Sequence, residues 1–182
     1  MTLRILTVCT ANVCRSPVAE RLLAQHLAAA GVDAEVRSVG THGGRLRMHR
    51  DTLAAAAAIG VDASDHVSRP LTAGAVRDEG ADLVIGMTRE HLREIVAMEP
   101  AAWPRTFTLK ELGRAALRVG PAGGDVAGWV ARASEGRKAA DLMVPSPDDD
   151  LSDPYGRDRR YHDEMVREVD ELTRAIARAL AA

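Results

Sequence analysis

Aromatic side chains are scarce in this 182-residue chain, which holds two Trp, two Tyr and one Phe. The 46% hydrophobic fraction includes 32 Ala, so large apolar side chains are fewer than it suggests and the core must be aliphatic. Cysteine is also rare. Cys9 and Cys14 alone cannot make a disulfide scaffold or a four-cysteine zinc site. A net charge of -2 gives no electrostatic case for nucleic acid as a partner. No apolar run approaches the roughly 18 residues that a membrane span needs. The run Leu3 to Val8 is broken by Arg4 and is too short for a signal-peptide core. These absences predict a chain of the reducing cytoplasm. Balanced charge and frequent aliphatics argue against disorder, and no repeat of 20–50 residues is visible.

The pattern that is present alternates strands with helices. Leu3 to Val8 reads as a buried strand, and Ser16-Pro17 as a helix start with Ser16 as N-cap. Val18, Leu22, Leu23 and Leu27 form that helix's apolar stripe, and Gly31 ends it. Further strands are read at Ala34 to Val39, Ala81 to Met87 and Arg105 to Leu109. Helices are read at Thr52 to Ile59, Leu71 to Val76 and Arg89 to Met98, with a short one around Val126 to Ala133. Met165, Val169, Leu172, Ile176 and Leu180 mark a last, strongly periodic helix. The alternation implies an α/β fold, a parallel sheet with helices on both faces. Length predicts one domain over 1–182, with 113–150, rich in Gly and Pro, as a partly mobile surface insertion. That insertion puts Trp129 either toward a cleft or on the surface; the sequence does not choose.

Such sheets bind ligands at the carboxyl ends of strands, so the loop after the first strand is the first place to look. It reads Cys9-Thr10-Ala11-Asn12-Val13-Cys14-Arg15-Ser16. In this composition, a Cys followed at six residues by Arg and then Ser or Thr is expected by chance about 0.02 times. A five-residue loop can curl so that successive N–H groups form an anion nest, and the following helix N-terminus adds partial positive charge. Arg15 can grip two phosphate oxygens as a fork. The same field favours a thiolate at Cys9, as in thiols lowered from about 8.5 to roughly 3.5–7.5. Ser16 can donate a hydrogen bond to that sulfur, and Asn12 tolerates a left-handed backbone. Displacing an alkoxide or phenoxide from phosphorus needs a proton donor. Asp153, in the turn-like Asp153-Pro154-Tyr155-Gly156, is the candidate general acid and then base.

These two motifs, in this order, resemble the low-molecular-weight protein tyrosine phosphatase family, bacterial branch, close to the protein arginine phosphatases. The likeness extends to Ser38-Val39-Gly40-Thr41, to His66 through Thr72 and to Ala81 through Thr88. It implies a three-layer, flavodoxin-like/Rossmann-like phosphatase I fold with a four-stranded parallel sheet. It also implies a two-step mechanism that uses neither metal nor cofactor. Cys9 is then the nucleophile, Arg15 the phosphate binder and Asp153 the acid, with residues 10–16 as the phosphate loop. Ser38 and His66 support that loop together with Asn12 and Ser16, and Tyr155 lines the substrate cleft. Cys14 is a redox partner for Cys9 or simply a small buried residue. Two departures stand out: Ala11 replaces a frequent Gly, and Thr88 replaces a frequent Asp, which removes a possible charge partner for His66.

The resemblance implies a phosphorylated protein as partner, with inorganic phosphate as product or inhibitor. The arginine branch carries a Thr where this chain has Val13, so an apolar Val13 favours phosphotyrosine over phosphoarginine. Thiol-dependent arsenate reduction needs further downstream cysteines, which are missing. A silent phosphate-binding module would not need Cys9, Arg15 and Asp153 together.

Overall fold

A computed structural model describes residues 2–42 and 44–181. Strand β1 (Leu3–Cys9) is followed by helix α1 (Arg15–Ala29) and strand β2 (Ala34–Gly40). Helices α2 (Arg50–Ala58) and α3 (Ala75–Asp78) lead to β3 (Leu83–Gly86) and α4 (Arg89–Met98). After a 3₁₀ turn at Pro100–Arg105 come β4 (Thr106–Thr108), α5 (Leu109–Val119), α6 (Val126–Ser134) and α7 (Arg159–Leu180). The four strands pair in parallel in the order β2-β1-β3-β4. The α/β fold with a four-stranded parallel sheet is therefore as the sequence implies.

Alternation along the strands divides the core. Ile5 and Cys9 of β1, with Leu83, Ile85 and Phe107, face a layer built by α1, α2, α5, α6 and α7. Leu6 and Val8, with Val84, face α3, α4 and the 3₁₀ turn through Val76, Ile95 and Ala102. Both faces are thus covered, as parallel sheets require. Helix α7 packs along α1 and α5 through Met165, Val169 and Ile176, each worth roughly 1.5–3 kcal/mol on burial.

Three expectations are corrected. Residue Cys14, not Ser16, is the N-cap of α1, and no side chain caps it. Ser16 is already helical and its hydroxyl is engaged elsewhere. The short helix expected from Leu71 to Val76 forms later, at Ala75–Asp78. The 113–150 segment is more than a surface insertion, because Ala115, Ala116, Trp129, Val130 and Ala133 all enter the core. Trp129 lies neither in the cleft nor on the surface. It is fully buried, and its Nε1 donates to the Gly120 carbonyl at 2.8 Å. In so alanine-rich a core, one large indole fills space that several methyl groups cannot.

Candidate active site

Strand β1 is flanked by β2 on one side and β3 on the other, so the direction of winding reverses at its carboxyl end. Cys9 is the last residue of β1, and residues 10–14 carry the chain from there into α1. The loop is held by a buried polar net. Asn12 has φ of 55°, the only left-handed non-glycine among the described residues, as its residue type permits. Its Nδ2 donates to Ser16 Oγ at 2.9 Å and Ser38 Oγ at 2.8 Å, and its Oδ1 accepts from the Arg69 backbone N–H at 2.9 Å. His66 Nε2 lies 2.8 Å from the Asn12 carbonyl and donates to it. Ser38 in turn hydrogen-bonds Glu20. A left-handed turn whose side chain and carbonyl are all hydrogen-bonded is a rigid one. Ala11, in place of the expected glycine, avoids the left-handed region, so its methyl group costs no backbone strain.

Above this net the chemically active groups converge. Ser16 Oγ donates to Cys9 Sγ at 3.0 Å. Arg15 is 4% exposed, and its guanidinium donates to Asp153 Oδ2 at 2.6 Å, Thr10 Oγ1 at 3.3 Å and the Leu151 carbonyl at 3.4 Å. Asp153 thus comes from the other end of the chain to sit across the loop. Tyr155 follows it, 65% exposed, with its backbone N–H on Asp153 Oδ1 at 3.1 Å. Residues 9–11 and 13–15, with Asp153 and Tyr155, line a cavity of about 310 Å³. It is large enough for a phosphate and a ring. The first turn of α1 opens onto this loop without a side-chain cap, which leaves its N–H groups for an anion.

Sequence reasoning missed several contributors. His91 of α4 accepts the Thr88 backbone N–H at Nδ1, 3.1 Å away, so its proton is on Nε2 and is donated to Thr10 Oγ1 at 3.0 Å. Burial, and then the Arg15 charge, push its pKa down from 6.5 to about 3, so it stays neutral. Thr10 accepts from both His91 and Arg15, which leaves its own hydroxyl proton to donate. Thr88 serves as N-cap of α4, within hydrogen-bond reach of His91. Gly40 ends β2 so close to the loop that a Cβ would lie 2.7 Å from the Thr10 carbonyl oxygen and 2.9 Å from the Asn12 nitrogen. From sequence this strand ends at Val39, one residue short; a glycine at the strand end was the available signal, since glycine in a strand marks close backbone approach.

Cys14 is buried within the loop, and burial pushes its thiol up to about 11. Both cysteines are free thiols. Leu151 donates its N–H to the Met87 carbonyl at 2.8 Å, fixing the approach to Asp153 at the end of β3.

Residues 4–119 match a family model described as low molecular weight phosphotyrosine protein phosphatase. The chain is 41% identical over 105 residues to the low molecular weight protein-tyrosine-phosphatase Etp of Escherichia coli. That match covers 57% of this chain and 66% of Etp, just under two thirds of its length. Identity to the protein-arginine-phosphatase of Bacillus subtilis is 29% over 179 residues, or 97% of this chain and 95% of that one. Among solved structures, a YwlE mutant from Bacillus subtilis matches with a TM-score of 0.71 at 27% identity, covering 97% of both chains. The low molecular weight protein tyrosine phosphatase from T. tengcongensis matches with a TM-score of 0.73 at 26% identity, covering 98% of this chain and 100% of that one. With its loop, its sheet and most of its length matched, the chain belongs to the low molecular weight phosphotyrosine protein phosphatase family.

Proposed function

We propose that this protein is a cysteine-dependent phosphoric monoester hydrolase acting on phosphotyrosine in proteins. The observation that carries this reading is the Arg15–Asp153 pair, 2.6 Å apart and lining the same pocket as Cys9. A phosphate entering the loop takes the place of the Asp153 carboxylate on the Arg15 fork, which frees Asp153 to meet the leaving oxygen. Freed from Arg15, the Asp153 carboxylate takes up a proton from solvent; the Cys9 thiolate then attacks phosphorus as the bond to the phenolic oxygen breaks, and Asp153 gives that oxygen its proton. The Asp153 carboxylate then takes a proton from water as the water oxygen attacks phosphorus. The S–P bond breaks, releasing inorganic phosphate and the Cys9 thiolate. Side chains alone complete both steps, so the cycle calls for no cofactor. Thr10, Arg15 and the loop N–H groups bind the phosphoryl oxygens, Ser16 steadies the thiolate, and Asn12, Ser38 and His66 keep the loop in shape.

Tyr155 stands exposed at the mouth, where its ring can stack on the substrate's ring. The chain acts as one domain, 1–182, in the cytoplasm, where its two free thiols persist reduced. None of the described helices is long and apolar enough to cross a membrane. Phosphate, the product, also inhibits by occupying the loop. After oxidation of Cys9, Cys14 can close a protective disulfide, although a thiol near 11 attacks slowly.

Phosphoarginine is the second reading, favoured by the relative whose match spans 97% of this chain and which is named for that activity. Val13 argues against it, being 6% exposed, apolar and on the pocket wall. The test compares turnover of a phosphotyrosine and a phosphoarginine peptide. The parent should prefer phosphotyrosine, and Val13→Thr should move the ratio toward phosphoarginine by about 10-fold or more, the scale of one polar contact. A parent that prefers phosphoarginine would reverse the assignment.

A further inference from the structure

From Cys14 on the wall of the catalytic pocket, a group of side chains that the proposed reaction does not use extends outward. Cys14 Sγ and one ring nitrogen each of His49 and His162 all lie within 4.8 Å of one another. His162 is fully buried and its Nε2 has no hydrogen-bond partner among the described residues. Its Nδ1 is 2.7 Å from Thr52 Oγ1. His49 stacks on His162 with ring centroids 4.7 Å apart, and its other neighbour is the Tyr155 ring at 5.6 Å. Three elements far apart in sequence thus deliver one thiol and two imidazoles to one point. A buried imidazole nitrogen with nothing to bond is costly unless something fills the place.

We infer that Cys14, His49 and His162 bind a soft transition-metal cation of the Zn²⁺ class, and that this ion restrains the phosphate pocket. One thiolate with two imidazoles is a donor set that suits Zn²⁺, and a water completes the tetrahedron. In such a site the ligand atoms stand roughly 3.3–3.6 Å apart, from metal–ligand distances of about 2.0–2.3 Å. The present spacing therefore needs a contraction of no more than about 1.5 Å, which rotation of the partly exposed His49 can supply. Among the described residues, the side-chain hydrogen bond of His49 is the long 3.3 Å contact from the Asp51 N–H to Nδ1. On binding, the Cys14 S–H bond is replaced by an S–metal bond and its proton passes to the buffer.

The consequence for the pocket is direct. Cys14 lies within the phosphate loop next to Arg15, and the His49 N–H donates to the Val13 carbonyl at 2.9 Å. An ion drawing Cys14 and His49 together pulls on the loop from behind and on Tyr155 from the side. The ion is a regulator, since the hydrolysis needs none.

The binding test stands apart from the proposed reaction. In a Cys9→Ser protein the remaining thiol is Cys14, and Co²⁺ serves as the spectroscopic probe. Titration should give a thiolate-to-cobalt charge-transfer band that saturates at one ion per chain and is displaced by Zn²⁺. Adding Cys14→Ser should remove the band. His49→Ala or His162→Gln, also in the Cys9→Ser background, should weaken Co²⁺ binding at least about tenfold. His49 is partly exposed, so its variant decides should His162→Gln fail to fold. Absence of the band at saturating Co²⁺, or a smaller loss with His49→Ala, overturns the site. With Cys9 intact, Zn²⁺ should inhibit aryl phosphate turnover, and His49→Ala should raise the half-inhibitory concentration. Equal inhibition of both proteins overturns the regulatory half of the inference.

Discussion

Gly40 and His91 shape the phosphate loop without any reactive chemistry of their own. A methyl group at position 40 would press on the backbone of residues 10–12 rather than on side chains that can turn away. Gly40→Ala should cost about 1–3 kcal/mol of stability, as overpacking does. It should also lower kcat/KM about 100-fold, since an ångström of displacement misplaces the reacting atoms. Thermal unfolding and steady-state assays check both, and a variant with parental kcat/KM would remove Gly40 from the account.

His91 makes a prediction in pH. Its pKa is 6.5 in the unfolded chain and about 3 when folded. Between those values the unfolded chain binds more protons, so stability rises with pH and is lost as pH falls from 6.5 toward 3. His91→Gln should lose less stability than the parent between pH 6.5 and 4, by on the order of 2 kcal/mol in urea unfolding. Equal losses would contradict the burial of a neutral imidazole on Thr10.

Among elements, the segment before Asp153 is held by α4. Arg89 Nε donates to Asp149 at 2.7 Å, and its backbone N–H to Asp150 at 2.7 Å. Its Nη1 reaches the carbonyls of Asp141 and Val144, and Arg93 donates to Leu142 at 2.6 Å. Burial alone would raise the Asp149 carboxyl, yet Arg114 and Arg89 hold it below the usual carboxylate range. Arg89→Ala should loosen this clip. The expected cost is about 2 kcal/mol, below the roughly 3–5 kcal/mol of fully buried pairs, because a fifth of the Arg89 side chain stays exposed. Aryl phosphates with poor leaving groups should slow more than those with good ones, since Asp153 would be less well placed. Uniform slowing would show that the clip does not position the acid.

This clip was not legible in the sequence, where Asp148-Asp149-Asp150 reads only as a polar turn. Strand and helix periodicity found β1, α1, α4 and α7, whose stripes are local. It did not find α5 and α6 as core elements, because Ala115, Ala116 and Ala133 give little contrast between faces. Trp129 shows its role only against Gly120 and its neighbours in space.

For the whole molecule, the parallel sheet does the work of assembly. It places the end of β1 between β2 and β3, brings Ser38 and Gly40 beneath the loop, and lets β3 anchor Leu151 near Arg15. The loop's motif was readable because Cys9, Arg15 and Ser16 are close in sequence, and the structure brings them together at one pocket. Asp153 was readable through the resemblance of its Asp-Pro-Tyr-Gly turn. His91, Gly40 and the Cys14–His49–His162 group were not, since each acts through contacts between distant segments. In the proposed function, phosphate recognition needs only one buried arginine and backbone amides, which accords with a net charge of only -2.

In the proposed mechanism Cys9 carries the phosphoryl group between two half-reactions. Acid-quenching the enzyme during turnover of an aryl phosphate, with excess chelator present, and mapping the peptides by mass spectrometry tests it directly. Phosphate should appear on the peptide containing Cys9, attached through sulfur, and be absent in Cys9→Ser. Sustained turnover by Cys9→Ser, or phosphate found on another residue, would contradict it.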